Sequence, residues 1–223
     1  MFVRGVQIPL QAVLFDLDGT LIDSKKDIAG AANAARAHFK MPPLPLETVV
    51  TYIGRGVDHL LRCSLGSEAG PEQLKEGLEV LMAYYKDHLV VHTTVYPGVV
   101  ELLKYLKDRN VKMGVVSNKP HALTQAALPK LGLMEYFGVA LGADATKHKK
   151  PHPEPLLTAL KTLGANPRNS VMIGDSTIDA QAGRAAGMAG GRVAHGFTHK
   201  EELQEAGADW LVDHMMEFKD ILV

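Results

Sequence analysis

Ala12-Val13-Leu14-Phe15-Asp16-Leu17-Asp18-Gly19-Thr20 sets four apolar residues directly against two carboxylates spaced two positions apart, then a glycine and a threonine. An apolar run this short, ended abruptly by polar residues, is the pattern of a strand buried on both faces, as in a parallel sheet. Two carboxylates at a strand exit repel each other unless a cation neutralises them, and Mg²⁺, which demands oxygen ligands, is the usual partner. Gly19 permits the sharp turn that follows. Carboxylates also serve as nucleophiles that form aspartyl-phosphates. A solvated turn is an alternative reading of the same residues. A calcium loop of the EF-hand type is excluded, because the glycine and glutamate it needs at its sixth and twelfth positions are here Leu21 and Asp27.

Working outward, two further apolar runs end the same way. Val111 to Val116 stops at Ser117-Asn118, and Ser170 to Ile173 stops at Gly174-Asp175. Between them, residues 98–107 (after Pro97-Gly98), 153–163 and 178–186 carry helical patterns. Alternation of strand and helix from about residue 95 onward is the signature of βαβ units. It predicts an α/β fold, a Rossmann-like doubly wound parallel sheet, whose ligand crevice lies beyond the carboxyl ends of the strands. Residues 24–94 differ: helix-like patterns at 27–39, 46–52, 57–65 and 71–89 are broken at 41–45, 54–56 and 66–70. The expected organisation is therefore an α/β core of residues 1–23 and 95–223 with an inserted α-helical domain of residues 24–94. Trp210 to Val223 reads as the last strand and helix of the core. No internal repeat or low-complexity segment is visible.

Composition excludes several classes of partner. A 46% hydrophobic share with 22% charged residues is that of a soluble globular protein, and a formal net charge of -1 gives no reason to expect nucleic acid or an anionic membrane. The N-terminal MFVRGVQIPL lacks the uninterrupted apolar core of a signal peptide, and no apolar run reaches the ~18 residues of a membrane span. The single cysteine, Cys63, rules out an internal disulfide framework and suits a reducing cytoplasm, the expected location. The expected state is a monomer or homodimer.

The other strand exits carry chemistry of their own. The Ser117 hydroxyl can donate to a phosphoryl oxygen, although Ser-Asn is also common in turns. Lys149-Lys150-Pro151-His152-Pro153 places lysines just before a proline-rich helix start, where an ammonium can face a phosphate or simply be solvated. Gly174-Asp175-Ser176-Thr177-Ile178-Asp179 has one aspartate at the exit and another near a helix start, where an acidic residue is favoured by the dipole alone.

Taken in order, these segments resemble the four motifs of the haloacid dehalogenase superfamily. The resemblance implies that Asp16 is the nucleophile and Asp18 the general acid, then general base. It implies that Ser117 and Asn118 bind the phosphoryl group, with Thr20 beside them. Motif III places its lysine immediately before the proline, which selects Lys150. Motif IV implies Asp175 as a Mg²⁺ ligand alongside Asp16 and Asp18 of motif I, with Asp179 as a further partner, and the resemblance implies a small phosphorylated metabolite as substrate. The second aspartate argues for a phosphatase over a dehalogenase. A helical insert between motifs I and II resembles the cap of one subclass, and within it Gly54-Arg55-Gly56 offers a turn whose Arg55 could grip a carboxylate. The strings DLDGTLIDS, YIGRGV, SNKP and KKPHPEPLL are similar to those of phosphoglycolate phosphatases. Pyrophosphatases, sugar-phosphate phosphatases and β-phosphoglucomutases of the same subclass carry similar strings, and a catalytically silent binding protein on this fold is the non-enzyme alternative.

Two other motifs fail. A dinucleotide fingerprint would need a third glycine where His59 stands. The pairs His88/His92 and His195/His199 have metal-ligand spacing but lack the glutamate of a zinc motif.

Overall fold

A computed structural model describes residues 2–3, 6–198, 200–205 and 209–222. A short antiparallel hairpin, β1 (Phe2–Val3) with β2 (Val6–Pro9), precedes the central strand β3 (Ala12–Phe15). The connections to and from the helical segment are β4 (Ile22–Asp23) and β5 (Thr94–Val95), which pair antiparallel. The remaining strands are β6 (Lys112–Val116), β7 (Val139–Leu141), β8 (Ser170–Gly174), β9 (Ala189–Val193) and β10 (Trp210–Val212). Six of these form one sheet in the order β10-β9-β8-β3-β6-β7, parallel at every junction.

Alternation along the strands builds the two faces. Val13 and Phe15 of β3, Met113 and Val115 of β6, and Val171 and Ile173 of β8 all enter one core, completed by α5 (Val99–Lys107) and by Met215, Phe218 and Leu222. Ala12, Leu14, Val116 and Met172 point the other way, into a second core with α7 (Glu154–Leu163) and α8 (Thr177–Ala185). Side chains two apart share a face, so four apolar residues in a row fill both sides of a central strand.

The insert folds as α1 (Lys25–His38), α2 (Leu46–Val50), α3 (Val57–Leu65) and α4 (Pro71–Asp87) around its own cluster of Ala29, Ala32, Ala35, Leu61 and Leu81. Leu123 and Ala127 of α6 (His121–Lys130) join that cluster and seat the helical layer against the sheet layer. Arg36 is buried inside the layer, with its guanidinium donating to the carbonyls of Pro42 and Ser64. Asp27 fastens the junction: its carboxylate accepts from the backbone N–H groups of Val91 (3.0 Å), His92 (3.0 Å) and Thr93 (2.9 Å) and from the Thr93 hydroxyl (2.6 Å). Four donors hold its carboxyl below the usual range despite the opposing effect of burial. Among the described residues, no helix is long and apolar enough to cross a membrane.

Sequence reading placed β3, β6, β8 and most helices within two residues but missed α6, β7 and β9. The α6 segment has Pro129 inside it, and β9 contains Gly190 and Gly191, so local preference opposes both.

Candidate active site

The strands β3, β6 and β8 deliver their polar exits side by side, as adjacent parallel neighbours must. Asp16 closes β3, Ser117 follows β6 and Asp175 follows β8; all three are buried. Gly19, at φ +87°, lets the loop after Asp18 fold back against Asp175; a Cβ there would lie 2.2 Å from Asp175 Oδ2. Gly196 approaches equally closely from the loop after β9, where a Cβ would be 2.2 Å from the Asp175 side chain.

Lys150 is 2% exposed and its ammonium stands 2.9 Å from Asp16 Oδ1 and 2.7 Å from Asp179 Oδ1. The contact to Asp16 is a buried ion pair. Asp179 is held by α8 itself: its Oδ2 accepts from the Ser176 hydroxyl (2.6 Å) and N–H (3.1 Å), and the Ser176 hydroxyl accepts from the Asp179 N–H, a reciprocal helix cap. Asp175 accepts from the Thr20 hydroxyl (3.0 Å) and the Phe197 N–H (2.8 Å).

Three carboxylates share this buried space. Burial, with the neighbouring charge of Asp179 added, raises the Asp16 carboxyl from 3.8 to about 6 against the opposing pull of Lys150. Burial, then Asp16 and Asp179, hold Asp175 well above the ordinary carboxylate range. One lysine does not balance the set. Ligand oxygens of Asp16, Asp175 and Asp179 lie within 4.8 Å of one another, the only such cluster among the described residues. Three hard carboxylate oxygens this close together, with one lysine among them, fit a small divalent cation.

A cavity of about 50 Å³ opens beside the cluster, bounded by Asp16, Asp18, Ser117 and Asn118 on the sheet side and by Ile53, Gly54 and Leu60 on the helical side. Ser117 Oγ accepts from the Lys119 N–H (3.2 Å), which leaves its hydrogen to donate. Asn118 Nδ2 donates to the carbonyls of Gly54 and Lys150, both at 2.9 Å, and so ties the insert to the lysine loop. Asp18 accepts from the Ser24 hydroxyl at 2.6 Å and from Lys119 Nζ at 3.0 Å and 3.2 Å.

Not every residue singled out from the sequence stands at the cavity. Thr20 is fully buried and spends its hydroxyl on Asp175. Arg55 is exposed and lines a second crevice with Lys149, Lys150, Thr177 and Gln181, on the other side of the lysine loop from the cavity. Its neighbour Gly54 does reach the cavity, through its backbone. His88 stacks on Tyr84, His195 lies against Tyr96 and the Thr20 carbonyl, and His199 lies outside the described residues. Cys63 is free, half-buried beside His59. Sequence reasoning missed Ser24, Tyr85, Gly196 and Phe197, and it noted Lys119 within SNKP without giving it a role. Ser24 ends the DLDGTLIDS string and Lys119 follows Ser117-Asn118 directly, so position gave a signal for both; the others come from distant elements.

Comparison with known proteins gives the same picture. A family profile described as haloacid dehalogenase-like hydrolase matches residues 13–193. A phosphoglycolate phosphatase from Chromobacterium violaceum is 37% identical over 217 residues, 96% of each chain. One from Neisseria meningitidis is 39% identical over 220 residues, 96% of this chain and 94% of that one. The crystal structure of a predicted phosphoglycolate phosphatase from Haemophilus somnus superposes with a TM-score of 0.91 at 28% identity, over 96% of this chain and 98% of that one. With the profile running through all three strand exits, the chain belongs to the haloacid dehalogenase-like hydrolases, and it is an enzyme of the phosphoric monoester hydrolase class.

Proposed function

We propose that the chain hydrolyses 2-phosphoglycolate to glycolate and inorganic phosphate, with Mg²⁺ as cofactor and Asp16 as the transient phosphoryl carrier. The observation that carries this reading is the cavity: a nucleophile (Asp16), a proton carrier (Asp18) and a hydroxyl donor (Ser117) line one space, with the buried ammonium of Lys119 beside them. The names of the relatives at 37% and 39% identity support the choice of substrate.

In the proposed reaction an Asp16 carboxylate oxygen attacks phosphorus in line as the bond to the ester oxygen breaks, giving an acyl phosphate on Asp16. Asp18 gives its proton to the departing oxygen, which leaves as glycolate. Asp18 then takes a proton from water, whose oxygen attacks phosphorus and breaks the bond to Asp16, releasing phosphate. Ser117 and Lys150 stabilise the phosphoryl oxygens, the Asn118 amide holds the Gly54 and Lys150 loops in place, and Asp179 positions Lys150. Bound Mg²⁺, held by Asp16, Asp175 and the Asp18 backbone carbonyl, would shield the nucleophile from the anionic substrate and stabilise the transferring phosphoryl group. Residues 24–94 act as a cap over a core of residues 1–23 and 95–223, closing the cavity against water.

The test is phosphate release from 2-phosphoglycolate, pyrophosphate, glucose phosphates and nucleotides, with Mg²⁺ or with EDTA. The expected leader in kcat/KM is 2-phosphoglycolate by at least about tenfold, with loss of activity in EDTA and in Asp16→Asn. A panel led by another substrate would remove glycolate from the reading. Substantial turnover by Asp16→Asn would remove the nucleophile assignment.

A further inference from the structure

Lys119 is a lysine 6% exposed that the phosphoryl chemistry does not use. It follows Ser117-Asn118 at the exit of β6, and it is the only cationic residue among those lining the cavity. Its ammonium is built into place from both layers. On the sheet side it donates to both oxygens of Asp18, at 3.0 Å and 3.2 Å. On the helical side it donates to the hydroxyl of Tyr85, from α4, and stands 4.4 Å from the centre of that ring. Burial, with Asp18 and Asp27 nearby, raises the Tyr85 phenol well above its usual range, so it stays neutral. A buried ammonium is costly, and this one is held where Asp18 must meet the substrate's ester oxygen.

We propose that Lys119 is the specificity-determining residue of the site: it receives the carboxylate of a small carboxylated phosphomonoester, and Tyr85 steadies it from the cap. This rests on the 2-phosphoglycolate reading above. In that substrate the carboxylate sits one carbon beyond the ester oxygen, about 3 Å away by ordinary bond geometry. An ester oxygen in hydrogen-bond reach of Asp18 therefore brings the carboxylate beside an ammonium that already lies 3.0 Å from Asp18. An ammonium has three hydrogens, and Asp18 with Tyr85 can be served by two of them. Arg55, the other candidate cation, is exposed and lines a crevice that reaches the site only at Lys150, away from Asp18.

The experiment compares kcat/KM for 2-phosphoglycolate and ethyl phosphate, in which a methyl group replaces the carboxylate, in wild type, Lys119→Met and Arg55→Ala. Wild type should prefer 2-phosphoglycolate. Lys119→Met should lower that preference by about 100-fold, mainly through KM, while kcat/KM for ethyl phosphate falls less than about tenfold. Arg55→Ala should keep the preference within about twofold. Equal losses on both substrates in Lys119→Met would overturn the proposal, because they would reduce Lys119 to a positioning residue for Asp18. An unchanged preference in Lys119→Met, or its loss in Arg55→Ala alone, would overturn it as well. If Lys119→Met does not fold, Lys119→Gln is subject to the same criteria. A wild-type enzyme with no preference for the carboxylated substrate would instead refute the substrate reading on which the proposal stands.

Discussion

Metal binding at the carboxylate cluster should expel protons, and the structure sets the amount. Raising Asp16 from 3.8 to about 6 means that its charged form costs the metal-free fold about 3 kcal/mol at neutral pH. For a carboxyl raised by folding, the contribution is most favourable below the unfolded value. It is lost as pH climbs from 3.8 to about 6, the reverse of an ordinary ion-paired aspartate. Asp175, raised further by burial and by Asp16, adds to the effect in the same direction. A divalent cation requires these groups ionised. At about pH 6 the half-protonated Asp16 must give up roughly half a proton and Asp175 a further share, for about 0.5–1.5 protons per metal.

The assay is calorimetric titration of Mg²⁺ into the chelator-treated protein, in two buffers of different ionisation enthalpy, at about pH 6 and about pH 8. Proton release should be clear at the lower pH and should shrink at the higher one, with affinity rising several-fold between them. Thermal melts should agree: the Tm gained from Mg²⁺ should be larger at neutral pH, where the unrelieved charge is worst. Asp16→Asn should remove about half a proton from the release near pH 6. A metal affinity independent of pH, with no proton released near pH 6, would refute the claim that Asp16 and Asp175 form one uncompensated cluster.

Asp27→Ala leaves the backbone donors of Val91, His92 and Thr93 without their acceptor, so urea unfolding should show a loss of about 3–5 kcal/mol. Because folding lowers the Asp27 carboxyl, its contribution is present above the unfolded value near 4 and is lost below it, and the gap between wild type and variant should narrow in acid. Lys150→Met removes the cation 2.9 Å from Asp16 and 2.7 Å from Asp179; single-turnover measurements should show kcat down by about 10²–10³. Gly19→Ala forces a Cβ to within 2.2 Å of Asp175 at φ +87°, and should cost Mg²⁺ affinity and Tm together.

The chemical residues were legible because each sits at a strand exit, where a local pattern shows both the strand and its end. Four apolar residues before Asp16 needed only the rule that successive side chains alternate faces, and Val13 and Phe15 do enter one core while Ala12 and Leu14 enter the other. The cavity wall was not legible in that way. Lys119 acquires a reason to be lysine only when Tyr85, 34 residues earlier in the chain, arrives over it from α4. The packing that brings α4 there depends on small residues such as Ala29, Ala32 and Ala35, which announce a helix but not its neighbour.

The same division explains why the sequence suggested a role for Arg55 and none for Lys119. A glycine-flanked arginine reads locally as an anion site, since it pairs a mobile turn with a bidentate donor. Whether it faces substrate depends on how the turn is tied down, and Asn118 ties it by the Gly54 carbonyl, with Gly54 at the cavity and Arg55 exposed outside it. A lysine beside a Ser-Asn turn carries no local sign of a role. Burial supplies one, because an ammonium withdrawn from water must be compensated, and here Asp18 and Tyr85 compensate it at the cavity. On the proposed reading, catalytic identity in this chain is written along single strands, whereas substrate choice is written across the seam between two layers. Substitutions at α4 positions that shift Tyr85 should change which tail is accepted before they change how fast phosphorus is transferred, and kcat/KM ratios across paired substrates measure the two separately.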